Sequence, residues 1–317
     1  MREAAFIRKN RAKWKDYEAV ATELGNTSAD RLLDIYNDVV ADLAYCRTHY
    51  PNSGLTNYLN SLSLTFHNEI HKGRAASWAT VRTFFTDEMP RLVYKARRAM
   101  LLSLVIGVVA VLIGVYSAWR DPDYVKMVMG TGYVDMTISN IEQGYASGVY
   151  NSETPIKMFL EILWNNASVS LLVFAVGVVT SIASAAMLVY NLLSLGALGV
   201  LLFRYDALAD FSVALWFHGT LEISAIVIMA GAGIHMGNGW LFPGTYGRLR
   251  SFVNASREGM MIVMGTMPMI FVAAMVEGFL TRHAQHHTTV VMLFIALSLA
   301  YIIYYYIYLP WRVRRNL

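Results

Sequence analysis

Ala99–Trp119 reads AMLLSLVIGVVAVLIGVYSAW, 21 residues without a charge. A helix rises about 1.5 Å per residue, so about 20 apolar residues cross the ~30 Å hydrocarbon core of a bilayer. Backbone amides find no water there, so a lone spanning segment has to be helical. Lys95, Arg97 and Arg98 stand before this stretch, and Arg120, Asp121 and Asp123 stand after it. The chain is therefore expected to enter a membrane near Ala99.

Toward the C-terminus five more apolar segments follow: Asn165–Ala185, Tyr190–Phe203, Phe211–His235, Gly259–Leu280 and Thr289–Pro310. Tyr190–Phe203 is short. It crosses if it begins near Met187 or tilts; otherwise it is re-entrant. The arginines favour crossing. With an inside N-terminus, six spans put three clusters on the cytoplasmic side: Arg97 and Arg98; Arg248, Arg250 and Arg257; and Arg312, Arg314 and Arg315. This obeys the positive-inside rule. A re-entrant segment would turn the Arg248 cluster outward. The long connection from Arg120 to Pro155 then lies outside, and VDMTISNIEQGYASGVY (Val134–Tyr150) reads as a short interfacial helix.

Toward the N-terminus the composition changes. Only 15% of the chain is charged, against about 25% in soluble domains, and the charges crowd between Arg2 and Arg98. Between Lys157 and Arg204 the single charge is Glu161. The expected organisation is a cytosolic helical domain over residues 1–98 and a transmembrane helical domain over 99–317, an all-α polytopic bundle. Leu32, Leu33, Ile35, Tyr36, Val39, Val40 and Leu43 recur at helical spacing, with Thr27 or Ser28 as cap. A break at Pro51–Gly54 separates this helix from another beginning near Leu55, with Tyr58, Leu59, Leu62, Leu64 and Phe66 available for packing. Ala76–Arg98 is amphipathic, and Pro90 should kink or restart it. It reads as an interfacial elbow or as a linker packed on the cytosolic bundle.

The net charge of +4 belongs to arginines flanking spans, and no recognition motif points to nucleic acid. One cysteine, Cys46, makes neither an internal disulfide nor a cysteine-based zinc cluster. The opening MREAAFIRKNRAKWKDYE has no apolar signal core, so the first span is expected to direct insertion. No P-loop, GxSxG or dinucleotide fingerprint occurs, which points away from an ATPase; no cofactor is expected, and an enzyme is the less favoured reading.

The polar constellation within the spans is HGTLE, His218–Glu222. Residues four apart share a helix face, and an ionisable residue in a span costs several kcal/mol unless paired. Three readings are open: a His–carboxylate pair that locks packing, a proton-, ion- or substrate-linked site, or a metal site. Zinc catalysis uses three protein ligands; Glu277 or His235 would supply the third, and the HExxH order is absent. Glu277 reads as an interfacial carboxylate near Arg282 or Arg204, or as a buried partner of the His218–Glu222 face. Asn165, Asn166 and Asn191 are expected to hydrogen-bond between helices. His283, His286 and His287 crowd an outer turn and read as solvated loop.

At these residues the chain resembles the stage II sporulation protein M family, the DUF95-type membrane proteins. The resemblance rests on YNDVVADLAYCRTHYP, YLNSLSLTFHNEIHK and FFTDEMPRLVYKARR in the polar region. In the membrane region it rests on ILWNNASVSLLVFAVGVVTSIASAAMLVYNLLSLGALGVLL, WFHGTLEISAIVIMAGAGIHMG and AAMVEGFLTRH. Ser224 stands where the pattern carries proline. The resemblance implies a bacterial inner-membrane scaffold or assembly factor of the cell envelope. Envelope proteins or a MoxR-type ATPase system are the implied partners, besides the lipid bilayer, and small-residue helix faces add an expected homodimer. A permease-like component with its polar site at His218 and Glu222 is the alternative, and an intramembrane metalloenzyme the second.

Overall fold

The computed structural model describes residues 2–24, 27–70, 78–143, 154–281 and 287–314. Every described element is helical. The chain divides into two compact units, Met1–Val81 and Arg82–Leu317.

The first unit holds α1 (Glu3–Thr22), α2 (Ala29–His49) and α3 (Gly54–Ile70). Ser28 caps α2, its hydroxyl accepting from the Arg31 amide at 3.4 Å. Phe6 and Trp14 of α1 join Leu32, Val39, Cys46 and Phe66 in one apolar core. The indole of Trp14 donates to Asp42 at 2.8 Å, and Lys13 pairs with the same carboxylate at 2.8 Å, so the core's one indole N–H is satisfied as burial requires. Leu33, Val40 and Leu64, expected to pack, are exposed instead: an apolar stripe wider than the partner helices leaves its edges outside.

In the second unit six helices are long and apolar enough to cross a membrane: Arg97–Arg120, Pro155–Val178, Ser181–Arg204, Phe211–Leu241, Arg248–Leu280 and Thr288–Val313. The chain is a multi-pass membrane protein. The second and third spans differ from expectation. The helix break falls at Thr180, whose hydroxyl accepts from the Ile182 amide at 3.4 Å, and not beyond Ala185. The small-residue run SIASAA opens the third span, which is thereby 24 residues long. A hydropathy run cannot reveal this break, because Val179 and Ile182 are as apolar as the helices they separate. Similarly, Arg248, Arg250 and Arg257 belong to the first turns of the fifth helix, whose 33 residues amount to about 50 Å and exceed the hydrocarbon core.

Packing follows residue size. Every buried residue of the first span is small: Ala99, Ser103, Gly107, Ala110, Gly114 and Ala118. Lipid is as apolar as leucine, so close backbone approach, not burial, drives such contacts. A Cβ on Gly114 would strike the Leu193 carbonyl, and one on Gly196 the Val111 carbonyl. Ser103 donates across the interface to the Val227 carbonyl at 2.6 Å. Ser184 closes the second–third hairpin by donating to the Val173 carbonyl at 2.7 Å. The fourth and fifth spans are the most enclosed of the six.

The elbow packs on this bundle. Met89, Pro90 and Val93 are buried, Met89 lies against Gly265, and Tyr305 donates to the Phe85 carbonyl at 2.8 Å. Pro90 stands in the first turn of the α-helix Met89–Lys95, so the α-helix restarts there without a break in the chain's helical course. A π-helical turn, Phe84–Glu88, precedes it, and proline near a helix start forfeits no intrahelical bond. In the connection after the first span, helices occupy Asp123–Met129 and Thr131–Glu142, with Gly130 between them at φ 84°. The interfacial helix thus starts ahead of Val134, and the part of that segment after Gln143 lies outside the described residues.

Candidate functional site

The fourth span carries His218 and Glu222 one turn apart on one face. The fifth ends in a π-helical turn, Val276–Leu280. Thr281 fixes this turn by donating from its hydroxyl to the Val276 carbonyl, five residues back, at 3.2 Å. Such wide turns rotate the following side chains relative to a regular helix and recur at functional sites. This one carries Glu277. Gly278 beside it lets the Phe159 backbone of the second span approach, where a Cβ would lie 2.8 Å from Phe159 Cα.

The three ionisable side chains meet. One ligand-type atom each from His218, Glu222 and Glu277 all lie within 4.8 Å of one another, a grouping suited to a metal ion. His218 Nε2 is 3.6 Å from Glu277 Oε1, beyond hydrogen-bonding distance. On the other side of the ring, Nδ1 is 3.4 Å from Thr281 Oγ1, and the imidazole also bonds the Ala214 backbone. His218 is 3% exposed. Asn166 of the second span donates its amide to Glu222 Oε1, and Asn165 donates to Asn166 at 3.4 Å. Glu222 and Glu277 also hydrogen-bond each other, as two carboxyl groups do when one holds a proton; with both ionised in a low dielectric they would repel.

Two cavities adjoin the cluster. One, of about 290 Å³, lies among the second, third and fourth spans; Asn166, Ser170, Asn191, Ser194, His218 and Glu222 contribute its polar lining. The other, of about 280 Å³, is lined by Glu161, Ile162, Asn165, Asn166, Glu222 and Glu277. Asn165, Asn166 and Glu222 border both. Glu161, which pairs with Lys157 at 3.6 Å, is well exposed, so a row of polar groups runs from the surface to the cluster.

The remaining sequence candidates fall elsewhere. Asn191 spends its amide on the Met187 carbonyl of its own helix at 2.7 Å and lines the first cavity. His235 does not reach the cluster; it pairs with Glu258 at 2.9 Å. Seventeen residues along one helix, about 25 Å, separate it from His218. Glu258 also takes Lys95. Arg204 donates to the Ala118 and Trp119 carbonyls at 3.0 and 2.9 Å, so it ends the first span and is no partner of Glu277. Ser224, in the proline position, donates to the Thr220 carbonyl at 2.8 Å within an unbroken helix. Arg282, His283 and His286 lie outside the described residues; His287 precedes the sixth span. Sequence reading missed Thr281, Glu161 and Glu258. A lone threonine near a helix end carries no signal of its own.

Fold and site together define a multi-pass membrane protein with ionisable residues gathered between its spans. Residues 103–282 match the family model described as Stage II sporulation protein M, and the chain belongs to that family. Residues 4–72 match a second model, described as a domain of unknown function, DUF8413. No curated protein and no solved structure matches the chain.

Proposed function

We propose that this chain is a permease-like membrane component in which His218, Glu222 and Glu277 form a cation- or proton-linked site. One observation carries the reading: the three residues come from two different spans and converge beside cavities. A purely structural pair would be sealed between apolar side chains. Groups that cost several kcal/mol each to hold in a span here border cavities of about 290 and 280 Å³. The orientation that goes with this reading has both termini on the cytoplasmic side of a bacterial inner membrane, supported by the three arginine clusters.

The envelope-scaffold reading rests on family membership and requires no aqueous site. One experiment separates the two. Cys46 is the sole cysteine, so Cys46→Ser provides a clean background. Ser194→Cys and Ile223→Cys, both lining the larger cavity, should react with a water-soluble maleimide in sealed vesicles from one side. Leu112→Cys, on the exposed apolar face of the first span, should not. Silence at Ser194 and Ile223, alongside labelling of a control at Asp123→Cys, at the exposed start of the helix Asp123–Met129, would leave the scaffold reading standing and remove the permease one.

A further inference from the structure

We propose that the solute of this site is a divalent first-row transition-metal ion, bound by His218 Nε2 and one carboxylate oxygen each from Glu222 and Glu277. The inference rests on the permease-like reading and adds the chemical class of its ligand.

Geometry is the first argument. His218 Nε2 and Glu277 Oε1 are 3.6 Å apart. A charged imidazole–carboxylate hydrogen bond would draw them to about 2.7–2.9 Å. Two ligands at ~2.0–2.2 Å from one tetrahedral ion stand about 3.4 Å from each other. The observed gap is close to the edge of such a coordination shell, so the ion pair they form already stands near ligating separation. The full set lies within 4.8 Å, so movement of less than an ångström brings all three donors onto one ion.

The surroundings hold the donors in ligating orientation. Metal-bound imidazoles as a rule bond a polar group through the other ring nitrogen. Here Nδ1 faces Thr281 and the ring is further tied to the Ala214 backbone, which keeps Nε2 toward Glu277. Asn166 bonds Glu222 Oε1, leaving Oε2 free of that bond. The asparagine orients a carboxylate as outer-shell partners do.

Charge and donor type choose the ion. Without an ion the two carboxyl groups hydrogen-bond each other; on binding, the shared proton leaves, and the resulting charge of −2 on two carboxylates and a neutral imidazole is cancelled by a divalent cation. Magnesium and calcium take all-oxygen shells, whereas imidazole suits zinc, iron, nickel and copper. Three protein ligands leave a position open toward the cavity. An open position lets water or an exchanging ligand enter, as a site that must release its ion requires. Glu161, at the exposed end of the smaller cavity, supplies a first carboxylate for an arriving cation.

The test uses untagged full-length protein in lipid nanodiscs. After dialysis against zinc, elemental analysis should find about one zinc per chain. Cobalt in its place should give visible ligand-field absorption, a readout that needs no variant. Glu277→Gln and His218→Gln should abolish both. Thr281→Val, a positioning change, should weaken binding by about 10–100-fold, and His235→Gln should leave it unchanged. Less than a tenth of a zinc per chain and no cobalt spectrum would overturn the proposal. So would stoichiometric zinc that His218→Gln and Glu277→Gln leave in place. If the Ser194→Cys cavity still labels from water in protein that binds no metal, the permease-like reading survives while this one fails. If neither result appears, both fail.

Discussion

Gly196 and Gly199 lie three residues apart on the third span, and the structure assigns them opposite responses to the same substitution. A Cβ on Gly199 meets nothing within 4 Å. A Cβ on Gly196 collides with the Val111 carbonyl oxygen of the first span, and stands 2.8 Å from the Val115 nitrogen and 3.1 Å from the Val111 carbonyl carbon. Comfortable contact is about 3.5–4.0 Å, and the obstructing atoms are backbone, which cannot rotate aside. The two helices must part by about 1 Å, and overpacking of this kind costs about 1–3 kcal/mol. Alanine gains about 0.8–1.0 kcal/mol of helix propensity over glycine, equally at both positions, so the difference between the variants isolates the helix–helix clash. At about 2–4 °C per kcal/mol for a domain of this size, Gly196→Ala should melt several degrees below Gly199→Ala. Thermal loss of monodisperse protein on size exclusion reads this directly. The third span also bears Asn191 and Ser194 of the larger cavity, so maleimide labelling at Ser194→Cys should change in the Gly196→Ala background only. Equal melting temperatures for the two alanine variants would refute the close approach of the first and third spans.

Two further outcomes follow from named contacts. Asn166→Leu removes the amide that serves Glu222 and should cost about 1–3 kcal/mol, the price of a buried acceptor left short of a donor; a double variant with Glu222→Gln should be markedly less than additive in thermal stability, and strict additivity would contradict the contact. In the first unit, a hydrogen bond from Tyr17 at 2.7 Å holds Asp38 below the usual carboxylate range, opposed by burial and assisted by Lys13. Because the folded-state value is depressed, the stabilisation is complete above the unfolded value of about 3.9 and is lost as pH falls through the folded value. Tyr17→Phe should move the Asp38 midpoint upward in a carboxyl-carbon NMR titration; an unmoved midpoint would mean that the hydrogen bond is not what holds it.

The sequence by itself determined the class of fold. Long uncharged runs such as Ala99–Trp119 leave a backbone no option but helix in hydrocarbon, and length decides whether a run crosses. It also marked His218, Glu222 and Glu277 as residues that apolar surroundings do not account for. Boundaries were harder. The break at Thr180 depends on a side-chain cap and a two-residue turn inside unbroken apolar sequence, so hydropathy placed it several residues late. Pro90 looked like an interruption, and only the preceding π turn made it compatible with a continuous helix.

Convergence belonged to the tertiary structure alone. Helical spacing puts His218 and Glu222 on one face, but it does not tell which of Glu277, His235 or Arg204 stands opposite. Glu277 arrives because the π-helical turn Val276–Leu280 carries it and because Gly278 admits the second span, which bears Asn166. His235 shares the helix of His218 and is carried about 25 Å away by the helical rise, to pair with Glu258. Contacts between helices depend on rotation and approach distance, which are set by small residues acting together across several spans, and no local pattern of amino acids encodes them one segment at a time.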